Sequence, residues 1–362
     1  MKRRDFLIRS GLSSSALLLP SLLSATKNKH AHAENLSSFY TPIRQKVMMA
    51  MLSTQKQNWE HGIATQAFVE IGDVPMMTLM AKEAVLRQDS DGRLAVLGIA
   101  NGITDSATPG EAVLRTSVLL KDERLKEAAD RMLNYFFSQA PKTKEGLVHH
   151  SHHGPEVWAD SMYMLPPFLA YAGFPKEALK QLNGIREHLW IEDLSLFAYR
   201  WNDESQTISN DKIWGLANGH AIHGMTKLIE YLPASMEQER ALLISNVKQH
   251  LNGCLNVMRD DYLFHDALND PHTFIETSLA ERLAYTLFKG IEQGWLNQQH
   301  LTTALNMRKA IYSSIDEFGF ITGVPGPPSY SIAGTSTEGQ AFFLIMEAAY
   351  ESLMKKKSSS NL

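Results

Sequence analysis

An all-α protein, built of six helical hairpins closed into a ring, is predicted by three observations. Strand-type alternation of apolar and polar residues is almost absent. One-sided amphipathic stretches, such as DERLKEAADRMLNYFFSQA with Leu125, Ala129, Met132 and Phe136 on one face, alternate with segments apolar on most sides. Those segments are GEAVLRTSVLL, SMYMLPPFLAYA, LAERLAYTLF and GQAFFLIMEAAY. A helix apolar all round sits inside and a one-sided helix sits outside, so the alternation builds concentric layers. Finally, six short polar motifs introduce the apolar helices: WEHGIA at 59, TDSATPGE at 104, VWADSM at 157, WGLANGH at 214, FIETSLAE at 274 and GTSTEGQ at 334. They are 45, 53, 57, 60 and 60 residues apart, the length of a helix-pair repeat. An open solenoid with six unrelated helix caps is the alternative arrangement of the same hairpins.

The elements follow in order. Residues 1–33 read as an export signal: a basic start, a short apolar run and the small-x-small site Ala31-His32-Ala33. Arg3-Arg4 followed by Asp5-Phe6-Leu7 resembles the twin-arginine pattern, with an ordinary signal or an uncleaved anchor as the other readings. The apolar run is short and interrupted for a membrane span. The expected location is therefore periplasmic or secreted. Residues 34–353 are assigned to the helical barrel, and 354–362, ending KKKSSSNL, to a frayed tail. At the helix starts, Thr108-Pro109-Gly110-Glu111 reads as a capping box with Pro at the first helical position. Gly154-Pro155 and Asp270-Pro271 precede the third and fifth inner helices. A closed ring opens all six inner N-termini on one mouth, where backbone N–H groups and helix dipoles favour an anionic ligand.

Charge and cysteine content narrow the function. The 362 residues carry a net charge of −4, and removing residues 1–33, with six Lys or Arg and one Asp, takes it to about −9. Nothing is basic enough for nucleic acid, and an anionic ligand needs a local cation. The single Cys254 excludes an intramolecular disulfide and a multi-cysteine metal site.

Asp160 is the first candidate catalytic residue. It stands alone in EVWADSMYMLPPFLAYAG, two residues after Trp158, and a buried unpaired carboxylate is costly. It either caps first-turn N–H groups or serves chemistry. Asp105 takes the equivalent place one hairpin earlier. Two carboxyls at one mouth have their pKa values pushed apart, and the one in the more apolar setting keeps its proton; the helix dipole acts the other way. His149, His150, His152 and His153 form an imidazole loop that fits no standard zinc spacing, and no H-E-x-x-H is present. A loop contacting a carboxylate or hydroxyls is preferred, and no metal or cofactor is expected. Trp59, Trp158, Trp201 and Trp214 stand near the motif starts, where Trp stacks on sugar rings or fills a core. Glu276 and Glu338 line the mouth or cap helices. QDSDGR at 88–93 lacks the remaining ligands of a calcium loop and reads as a turn. There is no Gly-rich phosphate loop and no G-x-S-x-G elbow.

TDSATPGEAVL, LVHHSHHGPEVWADSMYMLPPFLAYAG, IWGLANGHAIHGM and TFIETSLAERLAYTL resemble glycoside hydrolase families 88 and 105, the unsaturated glucuronyl and rhamnogalacturonyl hydrolases. The likeness extends over most of the chain after residue 33. It implies an (α/α)6 barrel and an oligosaccharide substrate carrying a 4,5-unsaturated uronic acid. It also implies protonation of the vinyl ether at C4, water addition at C5 and collapse of the hemiketal, with no oxocarbenium at C1. Asp160 matches the family's acid/base and Asp105 its second aspartate. His149, Trp158, Met164, Trp214 and Asn218 fall on pocket positions, and Trp59, His61, His150, Tyr199, Arg200 and His220 complete the expected substrate-binding set. Two departures stand out. The W-x-R-G-N-G-W pattern of one branch reads Trp214-Gly215-Leu216-Ala217-Asn218-Gly219-His220, without the arginine or the second tryptophan. A histidine expected in LFAYRWNDE is Tyr199. A retained acid pair with a changed recognition shell implies altered substrate preference. A catalytically silent carbohydrate-binding barrel and an (α/α)6 glycosidase for saturated sugars are the alternatives.

Overall fold

Outer and inner helices alternate along the chain in the computed structural model, which describes residues 36–97 and 102–360. The outer helices are α1 (Pro42–Thr54), α3 (Val74–Leu86), α5 (Glu123–Ser138), α8 (Pro175–Leu189), α10 (Glu237–Asn256) and α12 (Leu301–Tyr312). The inner set is α2 (Asn58–Ile71), α4 (Gly110–Leu120), the pair α6 (Ser161–Met164) and α7 (Pro166–Tyr171), α9 (Gly215–Tyr231), α11 (Ser278–Gln293) and α13 (Thr337–Ser360). Each of the six polar motifs stands at or just before one of these starts. The first inner helix, α2, packs against the last, α13, and α1 covers α13 from outside. That contact closes the ring and excludes the open solenoid.

Burial follows the reading of helix faces. On α5 the buried positions are Leu125, Ala128, Ala129, Met132, Tyr135 and Phe136, a single stripe. On α9 every residue from Gly215 to Ile229 is buried. Close packing sets some of the small residues: a Cβ on Gly224 would strike the Met162 carbonyl, so α9 can approach α6 only through glycine. The third inner helix is split between Met164 and Pro166, because Pro166 and Pro167 lack the N–H groups that would continue it.

Connection lengths make the two ends of the ring unequal. Inner-to-outer links take two to seven residues, whereas five of the six outer-to-inner links take 21 to 25. Those long links carry short strands that the sequence reading missed. β1 (Glu156–Trp158), β4 (Arg200–Asn202) and β5 (Thr207–Asn210) form one sheet in the order β1-β4-β5. β2 (Trp190–Ile191) pairs with β3 (Leu196–Phe197), β6 (Phe264–His265) with β7 (Ile275–Glu276), and β8 (Val324–Pro325) with β9 (Ala333–Gly334). Segments of two to four residues are too short for a period-2 pattern to register.

Two further readings need correction. No capping box forms at Thr108: the hydroxyl donates to the Met164 sulfur at 3.1 Å, and the Glu111 carboxylate pairs instead with Arg115 at 2.8 Å and Lys227 at 3.2 Å. The capping box lies on α2, where Glu60 accepts from the Gln57 N–H at 2.9 Å. The tail is helical as far as Ser360, because α13 runs on through Lys355–Lys357. Residues 1–33, read as the export signal, lie outside the described residues. The chain divides into units 1–39 and 40–362, and the ring belongs to the second. Among the described residues no helix is long and apolar enough to cross a membrane.

Candidate active site

The long connections and the first turns of the inner helices assemble a cluster of acids, aromatics and two arginines. Antiparallel pairing of β1 with β4 sets Trp158 opposite Arg200, and the Ala159 N–H donates to the Tyr199 carbonyl at 3.1 Å. This pins the backbone leading into Asp160, which is the residue before α6. Asp160 makes no side-chain cap hydrogen bond, so the structural role considered for it is absent. Its Oδ1 lies 3.4 Å from His220 Nδ1, while its Oδ2 is buried with no hydrogen-bond partner. The side chain keeps 9% of its surface exposed, so it is not turned out to solvent.

Asp105 sits in a 3-10 turn, Asp105–Ala107, ahead of α4. The turn is held by His150, whose carbonyl accepts from the Ile103 N–H at 2.8 Å and whose Nδ1 lies 3.1 Å from Thr104 Oγ1 and 3.0 Å from Ser161 Oγ. His150 stacks on Trp158 at 3.9 Å, and its Nε2 is 3.7 Å from Asp105. Arg200 lies over the same indole at 3.6 Å. Two groups so close to one ring centre occupy opposite faces, giving a stack Arg200–Trp158–His150 that ends at Asp105. Tyr199 meets Trp158 and Trp214 edge-on at 5.3 and 4.8 Å and accepts from Arg200 at 2.8 Å.

Burial dominates the electrostatics. It raises Asp160 to about 6, against the pull of its own backbone N–H, Arg200 and Arg282. Burial, then Asp160 and Glu338, lift Asp105 well above the usual carboxyl range. Glu338, at the start of α13, is pushed to about 8 by burial; Arg282 opposes this, and Asp160, Glu60 and Glu276 add to it. His150 is held down near 3 by burial and Arg200, hence neutral. The mouth thus holds protons on carboxyls at pH values where free carboxyls have lost them.

Most predicted residues converge here, but several do not. His61 bridges outward to α3, with Nδ1 3.1 Å from Glu83 and Nε2 3.1 Å from the Met80 carbonyl. Two residues of helix turn through about 200°, so Trp59 and His61 face opposite ways. Asn218 is fully buried and spends both polar atoms on structure: Oδ1 accepts from the Phe197 N–H, and Nδ2 donates to the Phe197 and Trp214 carbonyls. Met164 packs on Thr108 and borders a small internal cavity with Gln66 and Lys227. Trp201 stacks on His188 of α8 at 3.8 Å, because alternation on β4 turns it away from the Arg200 face. The histidine loop is dispersed: His149 faces Asp203 at 3.5 Å, and His152 pairs with Tyr135 at 3.1 Å. Among the described residues no group of three or more His, Cys, Asp or Glu is placed to hold a metal. Asp89 and Asp91 of the QDSDGR turn pair with Arg93. Trp214 donates to Asp266 at 2.7 Å, and Trp59 meets Tyr330 edge-on at 6.4 Å.

Sequence reasoning missed Arg282 and Tyr330 and left Glu338 undecided. Arg282 is fully buried on α11, 3.4 Å from Glu338, over the Phe342 ring at 3.8 Å. The signal was there: a Glu281-Arg282 pair inside the otherwise apolar stretch LAERLAYTLF. Glu276 proves to be a cap, accepting from the N–H groups of Ser278 at 2.6 Å and Leu279 at 2.8 Å.

A closed ring of six helical hairpins with buried carboxyls gathered at one mouth defines the chain as an (α/α)6 barrel of the glycoside hydrolase type. The sequence profile of Glycosyl Hydrolase Family 88 matches residues 36–343, and the chain belongs to that family. It is 23% identical over 228 residues to the unsaturated rhamnogalacturonyl hydrolase YesR of Bacillus subtilis (strain 168), covering 59% of this chain and 64% of YesR. The chain therefore spans less than two thirds of that relative. A family 105 glycoside hydrolase of C. acetobutylicum shares the fold with a TM-score of 0.73 at 18% identity, over 86% of this chain and 99% of that one. A possible family 105 member from Klebsiella pneumoniae gives 0.75 at 16%, over 95% and 98%. An unsaturated glucuronyl hydrolase specific for heparin gives 0.67 at 13%, over 89% and 98%.

Proposed function

We propose that the protein removes a 4,5-unsaturated uronic acid from the non-reducing end of oligosaccharides released by polysaccharide lyases. The observation that carries this reading is Asp160: buried, uncapped, one oxygen unpartnered, and raised to about 6 beside a second protonated carboxyl, Asp105. Its carboxyl gives a proton to C4 of the vinyl ether, and the ring oxygen stabilises the cation left at C5. Water adds to C5 and returns a proton to the Asp160 carboxylate. The hemiketal opens, C1 loses its acetal, and the remaining sugar departs with one water consumed. Asp105, raised well above the usual carboxyl range by burial, Asp160 and Glu338, keeps its proton and donates it in a hydrogen bond to the sugar, while burial keeps the Asp160 proton available.

Arg200 is the cation proposed to meet the uronate carboxylate. Its Nε is buried without a hydrogen-bond partner, and its nearest carboxylate, Glu156, is 3.9 Å away. Arg282, by contrast, is fully buried against Glu338. Trp158, Tyr199 and Trp214 supply ring surface for the sugar. The Arg3-Arg4 leader supports export, which cell fractionation tests. Supplied with lyase-made oligosaccharides, the wild type abolishes the conjugated C4=C5 absorbance, and Asp160→Asn slows this by about 10³-fold. Full activity in that variant ends the proposal. Tight binding by the wild type with no product favours a silent carbohydrate-binding barrel.

A further inference from the structure

His220 is 1% exposed, on the second turn of α9, and faces acids on both ring edges. Its Nδ1 lies 3.0 Å from the Leu216 carbonyl oxygen and 3.4 Å from Asp160 Oδ1. A carbonyl only accepts, so Nδ1 carries a hydrogen and offers it to both oxygens. Its Nε2 lies 3.7 Å from Glu338 Oε2 and has no hydrogen-bond partner. Burial and then Arg282 hold the imidazole neutral, leaving a lone pair on Nε2. A lone pair facing an ionised Glu338 would be repulsive; facing the protonated acid, it is an acceptor.

We propose that His220 is the positioning residue of Asp160: an imidazole oriented by the Leu216 carbonyl and flanked by Glu338 at Nε2, whose Nδ1–H holds the Asp160 carboxyl and stabilises its anion once the proton has left. This rests on the reaction proposed above. The geometry assigns the two oxygens of Asp160 different tasks, Oδ1 to His220 and the unpartnered Oδ2 to the substrate. At 3.4 and 3.7 Å both contacts are longer than hydrogen bonds, and this role for His220 requires the one to Asp160 to shorten when substrate binds.

The consequence is a defined pH behaviour. Asp160 must hold its proton to donate it, so activity falls as pH rises through about 6. A donor to its anion keeps that limb low, and removing the donor moves the limb upward. The charged and titratable groups facing Asp160 and His220 are Asp105, Arg200, Arg282, Glu338, Tyr199, Tyr163, His150 and His223.

Two substitutions separate this from a packing role. His220→Asn places an amide N–H where Nδ1–H stands, and His220→Leu does not. The Leu variant is expected to lose about 10²-fold in kcat with KM little changed, and its alkaline limb to rise by roughly one pH unit. The Asn variant recovers most of kcat and the limb position. Equal losses in both, or an unmoved limb, overturn the proposal. Should the Leu variant fail to fold, nitrogen-15 spectra of histidine-labelled wild-type protein decide, with the His220 signals identified by their loss in His220→Asn. A neutral Nδ1–H ring between pH 5 and 8 is expected, and an Nε2–H or charged ring overturns it. Because the spectra need no substrate, they test His220 even if the wild type leaves unsaturated uronides untouched, a result that would sink the reaction alone.

Discussion

Two glutamates occupy the second position of inner helices, Glu111 on α4 and Glu338 on α13, and both are almost fully buried. Their surroundings push them in opposite directions. Burial pushes both up, but around Glu111 the cations Lys227 and Arg115 more than cancel it and hold the acid below the usual range. Lys227 also reaches Glu70 at 3.0 Å, and Tyr231 donates to Glu111 at 2.7 Å. Around Glu338 a single cation, Arg282, stands against Asp160, Glu60 and Glu276, and the acid is pushed up to about 8. The difference is instructive. Toward the C-terminal ends of α2 and α9 every charge has its opposite at hand, as structure requires. At the mouth the acids outnumber the cations, and burial raises the carboxyls of Asp105, Asp160 and Glu338 above the usual range.

This contrast can be broken from either side. The larger expected effect is at the paired cluster: Lys227→Met leaves Glu111 and Glu70 without their central cation and should destabilise the fold by about 3–5 kcal/mol. Denaturant unfolding measures it, and kcat of the folded fraction should stay near wild type. A large fall in kcat without loss of stability would erase the distinction between the two regions. A smaller effect is expected at the mouth. Arg200→Gln should raise KM by about 10- to 100-fold with little change in unfolding midpoint. The penalty should vanish on a substrate whose uronate is methyl-esterified. An equal penalty on acid and ester would mean that Arg200 acts through packing on Trp158 and not through charge.

How much of this was legible beforehand depends on what each signal measures. Hairpin spacing and helix greasiness report burial directly, and burial is what a ring of helices is made of. Asp160 and Asp105 stood out because an acid in an apolar neighbourhood is costly whatever the fold. His61 and Asn218 carried the same kind of signal but discharged it on neighbouring elements, α3 in one case and β3 in the other. A polar residue on an inner helix reveals that it has a partner; the direction of that partner is set by tertiary packing. Thr108 and Glu111 fitted a capping box locally, yet the ion pair with Lys227, 116 positions away in sequence, took precedence. Strands of two to four residues leave no pattern, so the sheet that presents Trp158 and Arg200 to Asp160 could be seen only in three dimensions.

The central claim is that the Asp160 proton, exchangeable with solvent, ends on carbon. Turnover of a lyase-made oligosaccharide in heavy water, followed by NMR of the released uronic acid, tests it most directly. The account predicts one deuteron fixed at C4 and loss of the C4=C5 bond. Release of a uronic acid that retains its double bond, with no deuterium at C4, would mean ordinary hydrolysis at C1 and would contradict it.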